Sequence, residues 1–271
     1  MLKGKKIGFI GAGNMAQAII AGLMEKKVIP AQSVLVADKV ARRNCFLKDK
    51  YGVKVAEDNR SLVEASHMVV LAVKPQNFSD IVDEIGSIGS DKLIISILAG
   101  TRTKTIESGF GGSVRVVRVM PNTPALVGEG MAGIAPGGNA TQQDVDITQY
   151  IFQQLGKVIV VDEPMLDVVT GVSGSGPAYV FYFIEALRDA AVHMGLDADQ
   201  AGILATQTFL GSVKLLLHTK EDPAQLRAQV TSRGGTTERG LRVLNSYNIK
   251  KIILQTVEAA TIRSKELSDN G

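Results

Sequence analysis

The chain has no tryptophan and a single cysteine, Cys45, among its 271 residues. One thiol excludes an internal disulfide framework and a thiolate metal site, and it fits a reducing compartment. Aromatic residues amount to only 5%. The net charge of +3, from 30 basic and 27 acidic residues, is too small an excess for a nucleic-acid binder, which carries a basic stripe interleaved with aromatics. Lys3, Lys5 and Lys6 read as a solvated lead-in to the first strand. Long apolar runs are also missing. The longest, Pro177–Ala186, already holds Glu185 and is followed by Arg188 and Asp189, which is too short and too charged to span a bilayer. The basic segment Met1–Lys6 leads through Ile7–Ile10 into a glycine turn, not a cleavage site, so no secretory signal is expected. His67, His193 and His218 match no metal-ligand spacing. The expectation is a cytoplasmic protein with no metal, no nucleic-acid partner and no membrane partner.

What is present is an ordinary globular balance, 45% hydrophobic and 21% charged, with 28 glycines. That suits an α/β protein with many tight strand-to-helix turns, long enough for two domains. From residue 5 to about 161, β-branched runs alternate with helical patterns. The runs are Ile7–Ile10, Val34–Ala37, Met68–Val73, Leu93–Leu98 and Val114–Met120; the helical segments are Asn14–Lys26, Val40–Lys50, Gln76–Ile85 and Thr103–Glu107. Nearly continuous Val/Ile/Leu strands joined by helices predict a Rossmann-type, doubly wound parallel sheet covered on both faces. After Asp162 the pattern becomes all-helical. Pro177 opens a helix to His193 or Met194 stopped by Gly195, Asp197 caps Ala198–Leu217, Asp222–Pro223 opens a third, Thr236 or Thr237 caps a fourth, and Ile249–Glu266 follows. The expected domains are 1–164 and 165–271. Between Met165 and Thr219 only seven of 55 residues are charged. Two consecutive helices then lack a solvent face, and burial between subunits accounts for this better than a lone bundle.

The segment Ile7-Gly8-Phe9-Ile10-Gly11-Ala12-Gly13-Asn14-Met15-Ala16 is a buried strand, a G-x-G-x-x-A turn and a helix start. Gly11 permits the tight turn, Gly13 lets a diphosphate approach the backbone, and Ala16 allows close helix–strand packing. The free N–H groups of the helix start and the helix dipole favour the anion. The second strand ends at Asp38, followed by Lys39, Arg42 and Arg43. A carboxylate here suits the ribose hydroxyl of NAD, and nearby cations suit the 2′-phosphate of NADP. NADPH is the expected cofactor, with NADH the alternative.

Four further segments resemble the pyrroline-5-carboxylate reductase family: Leu71–Pro75, Met120–Ala125, Gly171–Tyr179 and Ser232–Thr237. With the glycine turn they cover almost the whole chain in the family's order. The resemblance implies NAD(P)H-dependent hydride transfer to the C=N bond of 1-pyrroline-5-carboxylate, giving L-proline, by an α/β protein whose helical C-terminal domain dimerises. Dimers, or larger assemblies of them, are implied. So are the cofactor contacts Ile10, Gly11, Ala12, Gly13, Asn14, Met15, Asp38, Lys39, Asn59 on the adenosine side, Ala72, Val73, Lys74, Pro75, Leu98, Ala99 and Gly100. For Lys74 a backbone contribution and a side-chain acid are both open, the backbone favoured. The implied substrate contacts are Glu163, Ser232, Gly235, Thr236 and Thr237, with the Thr237 hydroxyl on the ring nitrogen as the catalytic contact. Glu163 can instead be a surface residue at the domain junction, and either threonine can simply cap its helix. Arg233 stands where relatives commonly carry proline, which adds charge and loosens the loop. Two rivals remain. A β-hydroxyacid dehydrogenase needs a lysine base on the helix joining the domains, and 171–196 contains none. A non-catalytic NADP(H) sensor has no use for the loops at 173–179 and 232–237.

Overall fold

The computed structural model describes residues 1–269. An eight-stranded sheet has the order β3-β2-β1-β4-β5-β6-β7-β8. Its strands are β1 Ile7–Ile10, β2 Val34–Ala37, β3 Lys54–Val55, β4 Met68–Leu71, β5 Leu93–Ser96, β6 Arg115–Met120, β7 Gly130–Pro136 and β8 Gly156–Val160. Helices α1 Asn14–Glu25, α2 Ala41–Tyr51, α3 Asn59–Ala65, α4 Phe78–Ile85, α5 Thr103–Gly109 and α6 Gln142–Phe152 connect them. Then come α7 Met165–Val169, a π-helical turn at Thr170–Gly174, and α8 Gly176–His193, α9 Ala198–Thr219, α10 Pro223–Gln229, α11 Thr236–Ser246 and α12 Ile249–Asp269.

Every residue of β1, β2, β4 and β5 is buried, because helices cover both faces of these strands. Helix α1 turns Ala16, Ile19, Ile20 and Leu23 onto one face of the sheet, the spacing of an apolar helical stripe. Helix α4 turns Ile81 and Ile85 onto the other face. The sequence predicts a parallel sheet, but one pair departs from it: β6 and β7 run antiparallel, Val119 opposite Ile134, and β8 then adds parallel to β7. Strand β7, Gly-Met-Ala-Gly-Ile-Ala-Pro, lacks the β-branched run that marks its neighbours, and β3 has only two residues. Neither was legible from the pattern. Strand β8 was not anticipated either, nor were α3, α6 and α7.

The domain boundary also differs from 164/165. Met1–Ser175 and the chain from Glu258 form one compact unit; Gly176–Val257 form the other. Leu166 and Val169 of α7 pack with Ala135 of β7, and Ser264 of α12 donates its hydroxyl to Asp167 at 2.7 Å. These contacts keep α7 and the end of α12 with the sheet.

The helical unit begins and turns where the residues dictate. The Asp197 carboxylate accepts from the N–H of Asp199 and Gln200 at the start of α9, Asp222 caps α10, and Gly195 takes φ +102° after α8. At α11 the expected threonine cap is absent. Gly235 is the N-cap, and Thr236 and Thr237 are the first helical residues. Among the described residues of this unit, the buried hydrophobic side chains are Ala201 and Ala205 alone, while Phe181, Tyr182 and Ile203 are each more than 60% exposed. No helix among the described residues is long and apolar enough to cross a membrane.

Candidate active site

Strand order reverses between β1 and β4, and the crevice at that point lies beyond the carboxyl ends of the strands, where open α/β sheets bind ligands. A cleft of about 370 Å³ opens there. Ile10, Gly11, Gly13, Asn14, Met15, Asp38, Lys39, Asn59, Ala72, Val73 and Lys74 line it, so most of the expected cofactor residues meet in one place.

The two turn glycines serve different ends. Gly11 has φ +98°, and a Cβ there would lie 2.5 Å from the Ala72 carbonyl oxygen; its own N–H donates to the Ala37 carbonyl at 2.7 Å. Gly11 is required by the fold itself. At Gly13 a Cβ would meet no protein atom within 4 Å, so its missing side chain keeps space open for something other than protein. Gly13 is the N-cap of α1, which has no side-chain cap and no acidic residue in its first turn. The first intrahelical donor is the Gln17 N–H, to Gly13 O at 2.9 Å. The N–H groups before it, with the positive end of the helix dipole, form an anion site that a dinucleotide diphosphate fits.

Asp38 faces inward. Its carboxylate accepts the Ala12 N–H at 2.7 Å and the Val40 N–H at 2.8 Å, and Arg43 sits 3.4 Å from it. It braces the glycine turn, and Ala12, itself fully buried, contributes through its backbone. Lys39 pairs with Asp80 at 3.3 Å in the open. Lys39 and the half-exposed Arg43 put positive charge beside Asp38 at this end of the cleft, as a 2′-phosphate there requires. Arg43 also lines the cleft, as the charge pattern after β2 suggested.

Asn59 is fixed by a residue the sequence did not single out. Glu84 of α4 accepts its backbone N–H at 3.1 Å and its side-chain NH2 at 2.7 Å, which leaves the amide oxygen as the acceptor open to a ligand. The preceding Asp58 caps α3, and the Ser61 N–H holds its carboxyl below the usual range. Lys74 is exposed on extended backbone, φ −73° and ψ 143°, with its carbonyl taken by the Asn77 N–H.

Pro75, Ala99 and Gly100 line a separate cavity of about 450 Å³, with Thr101 and Leu267. It lies at the ends of β4 and β5. The Leu98 side chain is in the core, 2% exposed, so only its backbone is available.

Glu163, an expected substrate contact, is tied into the sheet unit. Its carboxylate accepts the Thr103 N–H at 2.7 Å and the Thr103 hydroxyl at 2.8 Å, and it pairs with the buried Arg118 at 3.3 Å. Both oxygens are engaged inside the sheet unit.

In the helical unit, Ser232–Gly235 form a tight turn into α11. Gly234 adopts φ +76°, its N–H donates to the Glu238 carboxylate at 2.7 Å, and the Gly235 N–H donates to Ser232 O at 3.0 Å. Those two N–H groups are spent internally. The anion-binding capacity thus moves one step along, to the Thr236 and Thr237 N–H groups. They precede the first intrahelical donor, Arg239 to Gly235 O at 3.3 Å, and both threonines are exposed. Elsewhere, the His67 Nδ1 accepts the Lys6 N–H at 3.0 Å. Burial, then the charges of Lys5, Lys92 and Lys6, push its imidazole below the ordinary value.

Comparison with known proteins covers both units. Residues 163–267 match a family model described as pyrroline-5-carboxylate reductase dimerisation, and residues 6–100 match one described as NADP oxidoreductase, coenzyme F420-dependent. A pyrroline-5-carboxylate reductase of Methanosarcina acetivorans is 42% identical over 98% of this chain and 99% of its own length. A solved structure of the Coxiella burnetii pyrroline-5-carboxylate reductase superimposes with a TM-score of 0.92 at 38% identity, covering 97% of this chain and 98% of that one. The Plasmodium falciparum pyrroline carboxylate reductase, solved with NADP bound, gives 0.87 at 32%, covering 98% of each chain.

Proposed function

The chain belongs to the pyrroline-5-carboxylate reductase family, and from that premise we propose that it reduces the C=N bond of 1-pyrroline-5-carboxylate with NADPH, yielding L-proline. It is an oxidoreductase acting on a CH–NH group, at the last step of proline biosynthesis. The observation that carries this reading is a likeness continuous over both units, 42% identity over 98% of the chain, joined to an uncapped α1 whose Gly13 leaves room for a ligand.

Bound NADPH supplies the hydride. In our assignment, the first-turn N–H groups of α1 hold its diphosphate, and Lys39 and Arg43 offset the 2′-phosphate that the carboxylate of Asp38 would otherwise repel. Asn59 takes the adenosine side. Ala72–Pro75 and Leu98–Gly100 border the other half. At the start of α11, the Thr236 and Thr237 N–H groups hold the substrate carboxylate, Gly235 permits its close approach, and Ser232 flanks it. The Thr237 hydroxyl hydrogen-bonds the ring nitrogen. That nitrogen is basic and arrives protonated, so the ring carbon is already electrophilic and fixed geometry contributes more than a strong acid. This accounts for a site without a His–Asp or lysine constellation.

The chain assembles with copies of itself. We assign the contact to the apolar faces of α8 and α9, giving a homodimer, and place the enzyme in the cytoplasm. Comparing NADPH-dependent and NADH-dependent reduction of the cyclic imine tests the cofactor reading. Faster turnover with NADPH at equal concentration is expected, and a preference for NADH contradicts it.

A further inference from the structure

Two carboxylates four residues apart, Glu163 and Asp167, face the segment joining β5 to α5: Glu163 bonds Thr103, and Asp167 bonds α12 with Arg102 4.0 Å away. Helix α5 has no side-chain cap of its own. Glu163, distant in sequence, accepts the Thr103 N–H and hydroxyl in its place. Asp167 is 3% exposed and accepts hydroxyls of Ser264 at 2.7 Å and Ser268 at 3.4 Å from α12. Arg102, next to Thr103, lies 4.0 Å from the other Asp167 oxygen and donates to Asp269 at 2.7 Å. That bond holds the Arg102 guanidinium above its usual pKa. Two residues earlier, Gly100 has φ +73°, and a Cβ there would sit 3.1 Å from the Leu267 side chain and 3.2 Å from its backbone. The last turn of α12 therefore packs directly on the loop backbone, and Leu267 becomes a wall of the cavity at Ala99–Thr101.

We propose that Glu163 and Asp167 are positioning residues that clamp the β5–α5 loop, through Thr103 and Arg102, and hold the end of α12 as one wall of the cleft for the nicotinamide half of the cofactor. This rests on the cofactor reading above. With the diphosphate at β1, a dinucleotide laid across the switch point places its adenosine half over β2 and β3 and its other half over β4 and β5. The clamp acts on the second half only. Neither carboxylate touches cofactor or imine; each acts through another residue.

Titrating the purified full chain with NADPH and with 2′-phospho-ADP-ribose, which lacks the nicotinamide half, separates this role from general stability. Ser264→Ala removes one clasp bond, Asp167→Asn removes the charge facing Arg102 while keeping an acceptor, and Leu267→Ala removes a half-exposed wall side chain. Each variant is expected to bind NADPH about tenfold more weakly, a change of ~1.4 kcal/mol. Affinity for 2′-phospho-ADP-ribose should stay within about twofold, or ~0.4 kcal/mol. Equal losses for both ligands, or unchanged NADPH affinity in folded Ser264→Ala and Leu267→Ala, overturn the clamp. Wild-type protein that binds neither ligand overturns the cofactor reading and the clamp with it.

Discussion

At the scale of single residues, Gly11 and Gly13 answer to different masters. Gly13→Ala has a permitted backbone, φ −73°, and meets no protein atom, so the fold should be unchanged while NADPH binding weakens by about tenfold or more as the methyl fills the diphosphate cradle. Gly11→Ala forces a side chain onto φ +98° and into the Ala72 carbonyl, so it should lower stability by roughly 1–3 kcal/mol. Thermal melts and NADPH titration on the pair distinguish the two; equal destabilisation by both contradicts the assignment of Gly13. Thr237→Ala is expected to lose a hydrogen bond of about 1–3 kcal/mol, roughly ten- to a hundredfold in kcat/KM, with the fold intact. Unchanged kcat/KM removes Thr237 from the chemistry. His67 supplies a pH test. Its folded-state pKa is lowered from 6.5, so above that value both states are neutral and nothing is gained. As pH falls through 6.5 the unfolded chain takes up the proton first and stability declines. His67→Gln should flatten this decline between about pH 7 and 5 in urea-unfolding midpoints; an unaltered slope contradicts it.

At the scale of elements, the caps set the helix boundaries, and this is where the sequence was most readable. Asp197 and Asp222 sit where a short acidic side chain meets free first-turn N–H groups, a local arrangement independent of the rest of the chain. Asp197→Ala should therefore cost about 1 kcal/mol in chemical denaturation, and no loss would mean the cap contributes nothing. The β1 turn was legible for the same reason: Gly11, Gly13 and Ala16 are required locally. Long-range demands were not legible. Strand β7 forms because β6 offers it an antiparallel edge, although its own residues are poor strand formers, and Pro136 falls only at its end. Thr236 and Thr237 look like caps by type, yet the Gly234 turn carries the chain into α11 one residue early. Glu163 looked available because its partners, Thr103 and Arg118, lie 60 and 45 positions away. Only the folded sheet brings them together.

At the scale of the whole molecule, the helical unit of a single chain leaves Phe181, Tyr182 and Ile203 in water, and large exposed apolar side chains of this kind mark interaction faces. Self-association through this face, as proposed, would cover them, in keeping with the paucity of charge between Met165 and Thr219. Ile203→Glu should weaken association, shifting the sedimenting species towards monomer at a protein concentration where the unaltered chain is assembled; sedimentation showing the same assembly for the variant contradicts this face as the contact. On this reading the enzyme carries a hydride from the sheet-bound cofactor to the ring imine. The direct measurement is reduction of 1-pyrroline-5-carboxylate with NADPH carrying deuterium at both C4 positions of the dihydronicotinamide, followed by mass spectrometry of the product. The expected product is L-proline carrying the label on the ring carbon that had been double-bonded to nitrogen, formed in step with loss of nicotinamide absorbance. Absence of cofactor oxidation when the imine is added, or proline without label, would contradict it.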